Sequence, residues 1–296
     1  MRMGDTFNRL AVCGVLAAVL SAAAPDAWAV SIIPDLDEAG TFAILALSTN
    51  SDTPSIDISS SSGVVGNLGI GPSGSYGKSG GGLVSGKVFL DTGVSTAISG
   101  TPGNEGMIVS PFDLSEAIAD ALQASLDAAA DTTTQTVGDI TSSLTIASTG
   151  SLNVIAANKI DLSGSNALTL SGAASDFFIV NVSGKLDLTG SAEIILSGVD
   201  ASHVLFNFPG AGDDLGVSAS SVARGTFLAP GRDFTVHGVN LFGAIIANDI
   251  RLTSGGQVRY TGFAPPRPEP VIPEPSSALF WVMGCLSLGR SLRRRA

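Results

Sequence analysis

The chain has 296 residues, of which 14% are charged and 36 are glycine, and its formal net charge is −11. Ordinary soluble domains carry about 25% charged residues and ~7% glycine, so this composition is typical of short strands joined by many tight turns. The acidic balance excludes nucleic acid as a partner, because basic side chains are needed to neutralise phosphates. Cys13 and Cys285 lie in terminal apolar segments, so the region between them has neither a disulfide nor a thiolate metal site.

The first 29 residues have the pattern of a secretory signal peptide. Two arginines precede an apolar centre over residues 10–24, and the small residues Ala27 and Ala29 form the cleavage pattern. The apolar run is too short to span a bilayer comfortably as a lasting anchor. The sequence therefore predicts export through the Sec machinery, with cleavage before Val30 and one large β domain over residues 30–263.

The first part of this domain has strand-like segments at residues 42–45, 63–70 and 83–90. The Gly/Ser-rich residues 71–82 are predicted to form a loop, and Gly77–Gly81 within it fits the pattern G-x-S-x-G. A nucleophile elbow needs a strand before the serine and a helix after it, which the sequence does not predict here. A phosphate loop is excluded because Pro72 replaces its first glycine and no helix follows. Both matches are attributed to chance.

One helix is predicted, from about residue 114 to residue 130. Asp113, followed three residues later by Glu116, forms a capping-box-like start, and Ser110-Pro111 offers an alternative cap one turn earlier. The acidic residues on its polar face are interpreted as solvated rather than as a cation site. We expect the helix to cover apolar strand surface along the side of the domain through one apolar stripe, in which alanines at 117, 121 and 124 flank larger side chains at four-residue spacing, namely Leu114, Ile118, Leu122 and Leu126.

A repeat follows the helix. The segment beginning at Lys159 recurs at Lys185, an offset of 26 residues, and the alternation of leucine with aspartate is kept in both copies. Alternation with period two sends leucine inward and aspartate outward, and such a unit buries its inner face only by stacking on a neighbour. The sequence therefore predicts an irregular, mainly β solenoid with one long helix alongside. Asp161 should lie above Asp187 on the outside, and the inward side chains should be Leu162, Leu170, Leu188 and Leu196.

Two other features accompany the repeat. Asn181 and Asn207 occupy equivalent positions, which predicts a stacked amide pair with a structural role. Farther on, the segment that begins at Gly225 is echoed from Gly243, an offset of 18 residues. The shorter period predicts either shorter coils or coils that lack one strand. Residues 144–155 resemble a degraded coil ahead of the clear repeat.

The C-terminal region has three successive parts. Residues 264–275 are proline-rich and predict a semi-rigid spacer. Residues 278–288 are apolar but shorter than the ~20 residues that span a bilayer, which predicts a temporary membrane stop in the inner membrane. The chain ends in a basic tail that should remain cytoplasmic and leave the large domain outside, formed by Arg290, Arg293, Arg294 and Arg295.

The C-terminal 24 residues, 273–296, resemble the PEP-CTERM sorting signal of Gram-negative bacteria, with Pro273, Glu274 and Pro275 as the motif. That resemblance implies removal of the tail by an exosortase during export. The body of the chain resembles the choice-of-anchor A family, in Ile179–Gly184, Val204–Phe208 and Gly225–Pro230 among other segments. This second resemblance implies a secreted surface or matrix protein without established catalysis. A broader likeness links it to ice-binding proteins.

No catalytic, cofactor or metal site is predicted. His203 and His237 lack a predicted nucleophile and orienting carboxylate. Asp213-Asp214 and the acids of residues 35–38 offer hard oxygens for Ca²⁺, but neither group has a defined loop pattern, so both are interpreted as solvated turn residues.

The sequence accordingly predicts an exported, non-enzymatic structural or adhesive protein of the cell surface or biofilm matrix. Extracellular polysaccharide is a candidate partner. Two alternatives are an ice-binding protein and a polysaccharide-active enzyme. The charged outward positions Asp161 and Asp187 count against ice binding, which favours flat, uncharged rows of threonine or serine.

Overall fold

The computed structural model describes residues 33–47 and 55–265, which form a β-solenoid of 22 strands with one α-helix. The helix is α1 (Ser115–Ala130). The strands are β1 (Phe42–Ala46), β2 (Ser55–Ile58), β3 (Gly63–Val65), β4 (Asn67–Ile70), β5 (Ser75–Lys78), β6 (Lys87–Leu90), β7 (Ser95–Ile98), β8 (Met107–Val109), β9 (Gln135–Ile140), β10 (Leu144–Ala147), β11 (Leu152–Leu162), β12 (Ala167–Ser171), β13 (Phe177–Val182), β14 (Leu186–Leu188), β15 (Glu193–Ser197), β16 (Val204–Asn207), β17 (Leu215–Ser218), β18 (Val222–Ala229), β19 (Phe234–His237), β20 (Asn240–Ala247), β21 (Ile250–Thr253) and β22 (Gln257–Tyr260).

The strands pair in parallel to form three faces around one core. Face A has the spatial order β9, β11, β13, β16, β18, β20, β1, β4, β6, β8. Face B consists of the end of β11 followed by β14, β17, β19, β21, β2, β5 and β7. Face C has the order β10, β12, β15, β18, β20, β22, β3. Each coil therefore contributes in turn to all three faces.

The 26-residue repeat forms two adjacent coils in the predicted register. Asp161 pairs with Asp187 and Leu162 with Leu188 on face B, while Leu170 pairs with Leu196 on face C. The first three of these leucines are fully buried, and Leu196 is partly buried against the same core. Both aspartates remain partly exposed on the outer side. The predicted solenoid and its inward and outward positions are confirmed.

The 18-residue echo forms shorter coils that still contribute strand residues to all three faces. Strands β18 and β20 each run without interruption for 8 residues from face C onto face A. Gly225 pairs with Gly243 at the corner between the two faces. The coil is thus shortened by replacing the loop at this corner with a continuous bent strand, and no strand is missing.

The coils do not stack in sequence order. Strand β1 lies between β20 and β4, with Ile44 beside Ile245 on one side and Leu68 on the other. Likewise β2 pairs with β21 and β3 with β22. The coils of residues 42–109 are therefore built onto the coil that the chain completes last. No sequence similarity joins these two regions, so the repeat did not predict their contact.

Residues 71–82 contain strand β5, and the prediction of a continuous loop was wrong. Tyr76 and Lys78 face inward and are buried, whereas Gly77 lies between them on the outer side of face B. The surrounding glycines and serines conceal this two-residue alternation in the sequence. The chain after Lys78 continues without a helix, so the G-x-S-x-G match has no nucleophile elbow.

Helix α1 lies along face A, as predicted. Leu114 is buried, Ile118 is partly buried against the same cluster and the flanking alanines are buried, which confirms that part of the predicted stripe. Leu122 is 38% exposed and Leu126 64% exposed, so the prediction was wrong for these two leucines. A strict four-residue spacing drifts by about 40° per step around a helix of 3.6 residues per turn. The fully buried helix positions carry small side chains at spacings of three and four, and these bring the helix close to outward Leu, Ile and Val residues of the strands. These helix residues are Ala117, Ala121, Ala124 and Ala128. Within the described residues no helix is long and apolar enough to cross a membrane.

The alanine stripe gives a direct test of the helix orientation. Ala121→Leu forces a large side chain against packed strands, and we expect it to lower the free energy of unfolding by about 1–3 kcal/mol. Leu126→Ala removes an exposed side chain and should change stability by no more than about 0.5 kcal/mol. Urea titration followed by circular dichroism measures both values. Equal destabilisation by the two substitutions would contradict the observed orientation.

Candidate functional surface

Face A is covered by the helix, and a buried amide chain fixes the contact. Asn207 Nδ2 donates to Asn181 Oδ1 at 2.8 Å and to the Ser125 carbonyl oxygen at 3.0 Å. Ser125 Oγ donates in return to Asn207 Oδ1, and Asn181 Nδ2 donates to the carbonyl oxygen of Ala128. The predicted amide pair is confirmed as a structural element. Faces B and C, which this helix does not cover, are the candidate functional surfaces.

Helix α1 begins where two aspartates accept backbone N–H groups. Asp113 Oδ1 accepts from the backbone N–H of Ser115 at 2.9 Å, although the N-cap residue is Leu114, one residue after the predicted start. Asp91, which follows β6 on another coil, accepts from Leu114 at 3.0 Å through Oδ2. This second cap is a tertiary contact and has no local sequence signal.

One end of face B carries an alternating ladder of charges. Lys185 Nζ lies 3.1 Å from Asp161 and 3.3 Å from Asp187, while Lys159 Nζ lies 3.6 Å from Asp161 and 3.7 Å from Asp139. The hydrogen bond from Lys185 is the main reason that the pKa of Asp161 is lowered, with further attraction from Lys185 and Lys159 against an opposing effect of burial. The lysines thus offset the repulsion that the stacked aspartates would otherwise cause.

The charge ladder should make stability depend on pH. Because the folded pKa of Asp161 lies below its unfolded value, ionised Asp161 stabilises the fold at neutral pH, and this contribution is lost as pH falls through the lowered pKa. We expect Asp161→Asn to be less stable than the wild type at about pH 7 and equally stable by about pH 2. Urea titration at each pH measures the difference, and added salt at neutral pH should reduce it. A difference independent of pH would contradict the prediction.

A row of seven hydroxyl-bearing residues and one histidine runs along the same face beside the charge ladder. Ser218, His237 and Thr253 are paired in register, and His237 Nδ1 lies 2.9 Å from Thr253 Oγ1. The strand register extends the row in both directions through partly or fully exposed residues. We call this the hydroxyl row, and its members in spatial order are Ser163, Thr189, Ser218, His237, Thr253, Ser59, Ser79 and Ser99. Sequence reasoning missed it because the coils stack out of order.

The two histidines lie in different settings. His237 belongs to the hydroxyl row, whereas His203 lies in the short 3₁₀ turn before β16 and stacks on Phe177 with ring centroids 4.0 Å apart. The structure therefore gives His203 a packing role. Neither histidine is joined to a nucleophile and carboxylate in the contacts described above.

The acidic residues near the start of the domain meet the helix. The backbone N–H of Glu38 donates to Asp120 Oδ2 at 3.1 Å. Burial is the main reason that the pKa of Asp120 is raised, and repulsion from Asp37, Glu116 and Asp35 adds to it. Asp213 and Asp214 are exposed in a turn. Within residues 33–47 and 55–265, no group of His, Cys, Asp and Glu has the geometry of a metal site.

The predicted processing residues lie outside the described part of the chain. They are Ala27, Ala29 and Val30 at the signal cleavage, Pro273, Glu274 and Pro275 in the sorting motif, and Arg290, Arg293, Arg294 and Arg295 in the tail. Their roles remain predictions.

Several solved structures with a similar fold are ice-binding proteins. One from the Antarctic ascomycete Antarctomyces psychrotrophicus has 20% identity and a TM-score of 0.51, covering 77% of this chain and 98% of its own. LeIBP, from an Arctic yeast, has 18% identity and a TM-score of 0.54, covering 81% and 97%. An ice-binding protein from an Antarctic biological consortium has 19% identity and a TM-score of 0.52, covering 77% and 89%. Identities this low establish a shared fold alone.

No curated protein matches the chain significantly. The model of one protein family, described as an ice-binding-like adhesive domain, matches residues 35–260. That span contains nearly the whole solenoid and its helix. The chain therefore belongs to the family of ice-binding-like adhesive domains.

Proposed function

We propose that the protein is an exported, non-enzymatic adhesive protein of the cell surface or extracellular matrix, whose faces B and C bind an extended, repeating ligand. The observation that carries the proposal is the in-register rows of outward side chains on two long faces, in a chain of an adhesive family. Strand spacing repeats these side chains every ~4.8 Å, which suits a polymer or a solid surface better than a small molecule.

Small cavities do not offer a better site. One of about 180 Å³ is lined in part by Lys78, Ile98 and Glu105, and another of about 360 Å³ lies beside Asp91 and Phe112. Neither has a histidine or cysteine among its lining residues.

Binding to matrix tests this proposal. The purified full-length protein is incubated with extracellular polysaccharide from the producing bacterium and sedimented with it. We expect saturable retention and no change in polysaccharide chain length. Shortened chains would instead support a polysaccharide-active enzyme, and absence of retention on matrix and on whole cells would reject the adhesive function.

Export and processing form a separate part of the proposal. It is supported by the signal-like residues up to Ala29 and by the resemblance of residues 273–296 to a PEP-CTERM signal. Sec would export the chain, the apolar segment would hold it briefly in the inner membrane, and an exosortase would remove the arginine-rich tail. Intact-mass spectrometry of surface-extracted protein should find a chain that starts at Val30 and lacks Arg290–Arg295. Retention of the tail would overturn this route.

Ice binding is the second candidate, and the hydroxyl row favours it. Small hydroxyl side chains at a regular spacing can order water, although the charge ladder occupies one end of the same face. If the row binds ice, the wild type slows ice recrystallisation, Thr253→Lys weakens that effect strongly, and Thr169→Lys on face C preserves it. Both threonines are partly exposed strand residues, so they form a matched pair. Unaltered ice growth with the wild type would reject this candidate.

A further inference from the structure

Face C carries two arginines with an aromatic ring between them. Arg224 of β18 pairs in register with Phe242 of β20, which pairs with Arg259 of β22. The guanidinium carbon of Arg224 lies 5.8 Å from the centroid of the Phe242 ring. We call these three residues the arginine–aromatic strip. Their outward side chains lie on three successive strands, so the strip crosses the strands along the long axis of the face.

Arg224 is held in place by two residues of the neighbouring strand β15. Arg224 Nη1 donates to the carbonyl oxygen of Ile194 at 2.7 Å, and the same atom lies 3.8 Å from Glu193 Oε2. The guanidinium therefore lies between these β15 residues on one side and the ring of Phe242 on the other. Arg259 is exposed, and its partners in register are Phe242 and Val65, neither of which is charged.

The strip differs in charge from the rest of this acidic chain. Among the other basic side chains of the described residues, Lys78 and Arg232 are buried, and Lys159 and Lys185 are paired with aspartates on face B. Lys87 and Arg251 are exposed but lie on faces A and B. The outward row beside the strip contains Val222, Asn240 and Gln257, which are uncharged, and Glu193 at the edge. Because Arg224 is paired with Glu193, the unpaired positive charge of this area comes from the exposed Arg259, on a protein whose net charge is −11.

We propose that the arginine–aromatic strip binds an acidic polysaccharide, which gives the ligand class for the adhesive function proposed above. The ring of Phe242 offers a flat apolar surface for the face of a sugar, and each guanidinium can form paired hydrogen bonds to a carboxylate. The strands that carry Arg224 and Arg259 are two steps apart, or about 9.6 Å. This spacing suits a polymer that carries a carboxylate on every second sugar or more often.

Charge density distinguishes this ligand from nucleic acid. Double-stranded DNA carries one negative charge per ~1.7 Å of its axis, and proteins that bind it neutralise several phosphates at once. Two arginines on a chain of net charge −11 do not provide that neutralisation. A polymer with sparse carboxylates and apolar sugar faces fits both components of the strip.

The test compares two arginine variants on different faces. Binding of the full-length protein to immobilised alginate, a polyuronate, is measured against neutral dextran and double-stranded DNA of similar length. Arg259→Gln should weaken alginate binding about tenfold, because a hydrogen bond to a charged group is lost. Arg251→Gln is the control, since Arg251 is an equally exposed strand residue on face B and its replacement changes the net charge by the same amount. Phe242→Ser should also weaken binding.

Each outcome decides the inference. Selective loss with Arg259→Gln and Phe242→Ser, together with weaker binding at higher salt, supports it. Equal loss with Arg251→Gln indicates a general charge effect and overturns it, as does equal or tighter binding to DNA. Binding to dextran but not alginate, or to neither, also overturns it. Retention on native matrix would then still support the adhesive function, so the two proposals fail separately.

Discussion

Gly243→Ala is expected to abolish stable folding of the solenoid. An added Cβ at this position would lie 1.8 Å from the carbonyl oxygen of Gly225, far inside van der Waals contact. The backbone φ of Gly243 is +154°, a conformation that side-chain-bearing residues rarely adopt. The two strands bend together here between faces C and A, so neither backbone can move alone. We expect a loss of more than about 4 kcal/mol, a large part of the 5–15 kcal/mol that stabilises ordinary proteins.

Gly216→Ala provides the matched control. Gly216 also lies within a strand, but an added Cβ there has no atom within 4 Å. The free energy of unfolding of this variant should differ from the wild-type value by no more than about 1 kcal/mol, because the new methyl group points into open space on face B. Thermal and urea unfolding of the two variants measure the contrast. A well-folded Gly243→Ala protein with wild-type stability would show that the corner between faces C and A is wider than described.

Leu188→Ala is expected to destabilise the repeat strongly. Leu188 is fully buried and lies between Leu162 and Val217 in the stack of coils, so the removed atoms leave a cavity with packed walls above and below. Lost burial and the cavity together should cost about 2–5 kcal/mol. Chemical denaturation with an unchanged m-value would show that the fold survives while its stability falls.

The neighbouring residue is the control for that substitution. Asp187 points outward, and its described ion pair is with Lys185 at 3.3 Å. Exposed pairs of this kind contribute about 0.2–1 kcal/mol, so Asp187→Ala should have a small effect. A larger effect for Asp187→Ala than for Leu188→Ala would invert the inward and outward positions of the whole repeat.

The repeat predicted the middle of the fold because the residues that stack there lie in two similar segments that are close in the sequence. Alternation in residues 160–162 and 186–188 fixes which side chains enter the core, and the 26-residue offset fixes which coils are neighbours. The echo from Gly225 to Gly243 likewise identified paired strands. In each case, similar residues stack on one another, so the repetition in the sequence identifies the strands that pair.

The parts that could not be predicted depend on contacts between dissimilar segments. The insertion of β1 between β20 and β4 joins residues about 200 positions apart, with no shared motif. The hydroxyl row is continuous only because the early coils stack on the last one, which places Ser59 next to Thr253. The helix stripe was predicted only in part, because residue size favoured Leu122 and Leu126 whereas close approach to the strands buries the small alanines instead. Candidate surfaces assembled across coils are therefore visible only after the stacking order is known.

The position of β1 has a consequence for how the chain is made. A ribosome completes residues 42–109 long before β20, β21 and β22, which supply the edge on which those early coils rest. The early coils consequently lack a permanent neighbour until the C-terminal strands arrive, and their formation is limited by contacts of very large sequence separation. A chain with this arrangement stays incompletely folded through most of its synthesis. Under the export route proposed above, that delay would leave the polypeptide extended for passage through a translocation channel before the solenoid closes.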